Sequence, residues 1–198
     1  MGRSEGCLAS SGKEFTEKMT LNLIAVAFYF MLPAYFANMA PVIVKNSFKK
    51  LAVPIDSNKK FGNKPIFGKN KTWRGFIFGV IFAVLITFIQ FLFFKNNIFV
   101  NISSIDYNNW FLFGLLMGIG ALVGDLVESF FKRRLNIGPG KRFIPFDQTD
   151  FVIGALIFTY PLIKLSVELI IVIILISFVS HIAVNHLSYY LKIRKERW

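Results

Sequence analysis

The stretch GLLMGIGALVGDLVESFFKRR, residues 114–134, decides how the whole chain is read. It starts as a membrane helix, with apolar residues and glycines running to Gly124. It then places Asp125 and Glu128 one helical turn apart and closes on Lys132, Arg133 and Arg134. A charged side chain at the bilayer centre costs about 2.5–3.5 kcal/mol even on lenient insertion scales. Two acids on one helix face, just before a basic cluster, therefore need a reason.

The rest of the chain agrees with a lipid setting. Of 198 residues 55% are hydrophobic and 24 are Phe, against about 45–50% apolar residues in soluble domains. Five segments suit the roughly 20 residues that a crossing needs. They are 19–44, 75–94, 110–131, 151–163 and 165–191. The fourth is short, with Pro161 near its end, and reads either as a crossing or as half of a broken helix. The expected fold is all-α: a polytopic membrane protein of about five transmembrane helices with catalytic loops on the cytoplasmic side. Residues 1–18 are polar and read as an N-terminal tail or added leader with no assigned function, and 19–198 as a single transmembrane domain. The one cysteine, Cys7, excludes an internal disulfide.

Charge sets the orientation. The chain carries 23 Lys and Arg and a net charge of +12. Nine of the basic residues lie in 45–74, five in 132–150, and four after position 191. With five crossings these three segments share one side, and the positive-inside rule makes it the cytoplasm. The N-terminus then lies outside.

The acids follow the basic loops. Asp147 and Asp150, in FDQTD, repeat the i, i+3 spacing of Asp125 and Glu128, just before the fourth apolar segment. Two such pairs at neighbouring helix ends can converge, and four carboxylates together repel unless cations intervene. An all-oxygen set suits Mg²⁺ or Mn²⁺. The plainer alternative is a helix-end salt-bridge cluster with Lys132 or Arg133, with Asp147 and Asp150 as first-turn acids of the next helix.

The loop VPIDSNKKFGNKPIFGKNKTWRGFIFG, residues 53–79, is basic and broken by Gly62, Gly68 and Gly75. Such turns can surround phosphates with ammonium groups and backbone N–H groups. The spacing is not that of a P-loop, and anionic lipid is the other partner that such a loop suits. Gly114/Gly118 and Gly120/Gly124 predict close helix approach. His181 and His186 in the last apolar segment read as interhelical polar contacts rather than bases, and Tyr189, Tyr190 and Trp198 as interface anchors.

GDLVESFFKRR followed by PFDQTD resembles the C-terminal signature of the phosphatidate cytidylyltransferases, the CDP-diacylglycerol synthases. FGKNKTWRGFIFG is similar to that family's Lys-Lys-Thr-Trp-Glu-Gly segment, and Asp56 stands where an upstream aspartate is expected. The PID opening, KTWRG and the short five-span form resemble most closely the archaeal branch, the CDP-archaeol synthases. Arg74 replaces the bacterial Glu, and IGPGKRFIP replaces Pro-Gly-His-Gly-Gly.

The resemblance implies a magnesium-dependent membrane enzyme of phospholipid biosynthesis. It would transfer the cytidylyl group of CTP to an isoprenoid glycerol phosphate lipid, with pyrophosphate leaving. It implies Asp125, Glu128, Asp147 and Asp150 as metal ligands, and Lys132 and Arg133 as partners of the acids or of a phosphate. Lys69, Lys71 and Arg74 would hold phosphates, Thr72 would hydrogen-bond, and Asp56 would add a ligand or hold the nucleotide. Neither a nucleic acid nor an obligate protein partner is expected. Two rival readings are a CTP-dependent polyprenol kinase of the same superfamily and a small cation transporter.

Overall fold

The computed structural model describes residues 4–103, 105, 107–138, 141 and 143–190, with side chains from Asn22 onward apart from 184, 185 and 187–189. Arg142, Tyr189 and Trp198, which the charge and anchor readings use, fall outside these. Five α-helices carry the chain: α1 (Ser4–Ile43), α2 (Trp73–Lys95), α3 (Trp110–Arg134), α4 (Phe146–Thr159) and α5 (Val167–Tyr190). One two-residue hairpin, β1 (Lys60–Phe61) with β2 (Lys64–Pro65), is the only sheet among the described residues. The protein is an all-α polytopic membrane protein.

Among the described residues, length and hydropathy mark three stretches able to cross a bilayer: Asn22–Ile43, Trp73–Lys95 and Tyr107–Arg134. The described apolar part of α5, Val167–Ala183, is shorter. Helix α4 departs from the expected fourth crossing at 151–163. Its 14 residues reach about 21 Å, short of a hydrocarbon core of about 30 Å. It starts earlier, takes Asp147 and Asp150 into its first two turns, and stops ahead of Pro161, whose ring opposes continuation. Helix α1 also runs back to Ser4, so the polar segment read as a tail is helical over most of its length.

Glycines set the helix spacing. A Cβ on Gly114 would lie 2.8 Å from Thr87 Oγ1, and one on Gly118 2.8 Å from Ala83 Cβ, so this edge of α3 seats against α2. The other edge seats against α4. A Cβ on Gly120 would lie 2.6 Å from the Gly154 carbonyl oxygen, and one on Gly124 would collide with the carbonyl of Asp150. Gly154 answers from α4 against the Gly120 carbonyl. Where association gains nothing from burying apolar surface out of water, such close backbone contact is the main source of packing energy. Large apolar side chains such as Leu85, Ile157, Leu175 and Val179 face outward.

The basic loop is closed at its base. Ile55 N–H donates to the Lys71 carbonyl at 2.9 Å, Trp73 N–H to Val53 at 3.0 Å, and Pro54 bridges Thr72. Its tip is the hairpin, turned by Gly62 and Asn63, both with positive φ, the backbone a two-residue hairpin turn demands.

Candidate active site

The close seating of Gly124 on Asp150 decides what the acids can do. It brings the first turns of α4 against the last three turns of α3, so that oxygens of Asp125, Glu128 and Asp150 lie within 4.8 Å of one another. Glu128 is buried, and its Oε1 makes no aligned hydrogen bond. Lys132 Nζ stands 3.1 Å from that oxygen as an ion-pair contact. A buried carboxylate without an aligned hydrogen-bond donor on that oxygen, grouped with two other carboxylates, fits a hard divalent cation.

The fourth expected ligand, Asp147, is outside that group of three but touches Glu128. Asp147 accepts from Lys132 Nζ at 2.6 Å and from Phe143 N–H at 2.8 Å. Burial pushes its pKa up. Its side-chain contacts with Glu128 and Lys132 and the Phe143 N–H outweigh that and hold it below the usual carboxylate range. Lys132, itself buried beside Glu128 on the same helix, therefore ties α3 to α4 through Asp147.

Lys71 reaches in from the loop, with Nζ 2.6 Å from both carboxylate oxygens of Asp125. Its N–H donates to the Gly68 carbonyl at 3.2 Å while its own carbonyl accepts from Ile55, which fixes the backbone behind the ammonium. Thr72 caps α2, accepting from Gly75 N–H at 3.3 Å. Asn70, Lys71, Thr72 and Asp125 line one side of a small, mostly apolar pocket of about 60 Å³ completed by Pro41, Ile55, Phe76 and Leu122 among others. On the other side of the acids, Glu128 and Asp150 edge an apolar cleft of about 490 Å³ between α3 and α4, lined by Val127, Phe131, Phe146 and Ile157 among others.

The remaining expected contacts lie elsewhere. Asp56 accepts three backbone N–H bonds, from Asn58 (3.0 Å), Phe67 (2.9 Å) and Gly68 (3.0 Å). Burial opposes its charge, yet those bonds prevail and lower its pKa. It is spent on folding the loop. Arg74 is buried with Nη1 on the Ser47 carbonyl at 2.9 Å, directed at the α1–α2 connection. Arg133 Nη1 donates to the Ile137 carbonyl at 2.8 Å, and Lys69 is exposed.

A family profile described as CarS-like, CDP-archaeol synthase, matches residues 20–198. The chain belongs to the CDP-archaeol synthase family. A CDP-archaeol synthase of Pyrococcus furiosus is 36% identical over 176 residues, 88% of this chain and 98% of its own. Another, from Methanocaldococcus jannaschii, is 36% identical over 185 residues, 91% of this chain and 100% of its own. Among solved structures, an intramembrane enzyme for archaeal membrane lipids biosynthesis matches with a TM-score of 0.68 at 26% identity. That match covers 80% of this chain and 92% of the other.

Two contacts around these residues were missed from sequence. Phe143 supplies only a backbone N–H, which no side-chain pattern announces. Arg134, visible in KRR, spends its guanidinium on carbonyls about seventy positions upstream, a pairing with no local signal.

Proposed function

We propose that this protein transfers the cytidylyl group of CTP to unsaturated archaeol phosphate, 2,3-di-O-geranylgeranylglycerol 1-phosphate, giving CDP-archaeol and pyrophosphate. The observation that carries this is the place of the acid trio, with the basic loop's Asn70, Lys71 and Thr72 on one side and an apolar cleft on the other. A nucleotide phosphate and a lipid tail need those two surroundings at one point.

An oxygen of the lipid phosphate attacks the α-phosphorus of CTP. The new O–P bond forms as the bond to the bridging α,β oxygen breaks, and pyrophosphate leaves with that electron pair. A phosphate monoester is already anionic at neutral pH, so the attack needs no general base. The obstacle is repulsion between two anions. Lys71, which reaches from the basic loop to Asp125, exchanges that carboxylate for a nucleotide phosphate. Lys132 and Asp147 keep α3 and α4 in register while that happens. The apolar cleft receives the isoprenoid chain and keeps the attacking phosphate at the level of the acids. Asp125, Glu128 and Asp150 would hold Mg²⁺, with Mn²⁺ as a substitute, which would neutralise phosphate charge when bound. In this arrangement the basic loop, 132–150 and the C-terminus face the cytoplasm, and the N-terminus lies outside. Residues 19–198 work as one unit.

The test is incubation of the detergent-purified protein with α-labelled CTP, Mg²⁺ and the geranylgeranyl-type glycerol phosphate. Label in the lipid with one pyrophosphate released per lipid, lost on adding EDTA, is the expected outcome. Transfer of γ-label to a polyprenol instead would replace this reaction with a kinase.

A further inference from the structure

Arg134 is the last residue of α3, and its side chain turns back onto the hairpin of the basic loop. Nη1 donates to the Phe61 carbonyl at 2.6 Å, and Nη2 to the carbonyls of Lys64 (3.3 Å) and Pro65. The guanidinium lies over the rings of Phe130 and Phe61, 4.8 and 5.4 Å from their centroids. The loop answers, with Lys64 Nζ donating to the Arg134 carbonyl at 2.8 Å. The helix end itself is well formed. Asn136 takes the left-handed conformation and Ile137 N–H returns to the Lys132 carbonyl at 2.9 Å, a Schellman closure that fixes where Arg134 stands.

The loop thus meets α3 at two points nine residues apart, at Asp125 through Lys71 and at Arg134 through the hairpin. A residue advances about 1.5 Å along a helix and nine residues make about two and a half turns, so the two anchor points lie roughly 13 Å apart along α3, on different sides of it. A planar fork engaging several carbonyls and two rings holds one register; a single ammonium cannot copy it. We propose that Arg134 is a positioning residue for nucleotide binding, docking the hairpin so that the loop presents Lys71 and its neighbours to the phosphates. This rests on the reading that the loop side of the acid trio receives CTP.

The experiment uses the full chain in detergent, as wild type, Arg134→Gln and Arg134→Lys. KM is measured separately for CTP and for the lipid phosphate, and tryptic cleavage after Lys69 and Lys71 is timed without substrates. With Arg134→Gln, the KM for CTP should rise about ten-fold, the loss expected for removing bonds made by a charged donor. The KM for lipid should stay within two-fold and loop cleavage should quicken, with Arg134→Lys between the two. An unchanged KM for CTP, or an equal rise in both KM values, overturns the proposal and leaves Arg134 a general support. Should Arg134→Gln not fold, Lys64→Met severs the reciprocal bond while leaving α3 intact. The same split at smaller size is then expected, and its absence overturns the proposal. A wild type that transfers nothing from CTP overturns the proposed function instead. The cleavage rate still judges the docking, supporting it if quicker in Arg134→Gln and overturning it if unchanged.

Discussion

Asp125 with Glu128 and Asp147 with Asp150 share one spacing and one level in the molecule, yet they are used differently. Both acids on α3 turn oxygens into the common cluster, while on α4 only Asp150 does so. Asp147 is engaged by Lys132 and by the Phe143 N–H. The difference is one of position, since donors reach Asp125 and Glu128 as well, through Lys71 and Lys132. The seating of Gly124 on the Asp150 carbonyl brings Asp150 to the acids of α3, whereas Asp147, three residues earlier, is held by Lys132 and the Phe143 N–H. Equal spacing in sequence therefore does not mean equal chemistry.

The largest effect should separate the members of the pairs directly. Asp125→Asn and Asp150→Asn are expected to lower kcat by about 10³-fold or more, the scale of losing direct charge stabilisation at a reacting phosphate. Asp147→Asn, which loosens a support, should cost about 10- to 100-fold. Turnover measured on all three under saturating substrates checks this, and equal losses would erase the distinction.

Lys132→Met breaks the comparison from the other side. It leaves Glu128 and Asp147 facing each other without their shared cation, a change that costs about 3–5 kcal/mol when a buried pair loses one partner. Thermal unfolding in detergent should fall accordingly. Added divalent cation should recover part of the loss, because the freed Asp147 becomes a fourth oxygen donor. A Tm insensitive to the metal would argue against that freeing.

The smallest effect concerns Asp56, which like Asp147 is occupied by fixed donors. Its pKa lies below the ordinary value, so the charge stabilises the loop fully above the usual carboxylate range. That contribution fades as pH falls through the lowered value. The Tm difference between wild type and Asp56→Asn should hold steady from about pH 8 to pH 5 and shrink below about pH 4. A difference that stays constant at pH 3 would assign it to packing rather than to charge.

Much of this was legible along the chain. The apolar runs, the glycine edges of α3 and the acid–basic alternation each depend on residues a helical turn or two apart, and local periodicity reports such features directly. Phosphate-holding roles were harder to place. Asp56, Thr72 and Arg74 are polar residues in a basic loop, and their side chains serve, in order, the loop turns, a helix cap and a connection. Which task each takes depends on backbone groups that the fold brings near, and those are invisible to a pattern of side chains.

By itself the sequence determined that the chain lives in a membrane, that its helices approach closely along glycine edges, and that acids and lysines gather at one end. Those follow from composition and from the 3.6-residue period, which are local. Only the tertiary structure decided which three carboxylates meet, that Lys71 faces Asp125, and that Arg134 holds the loop. Gly124 lets the α4 backbone come within contact of α3, and that approach, not the spacing of the acids, selects Asp150 over Asp147.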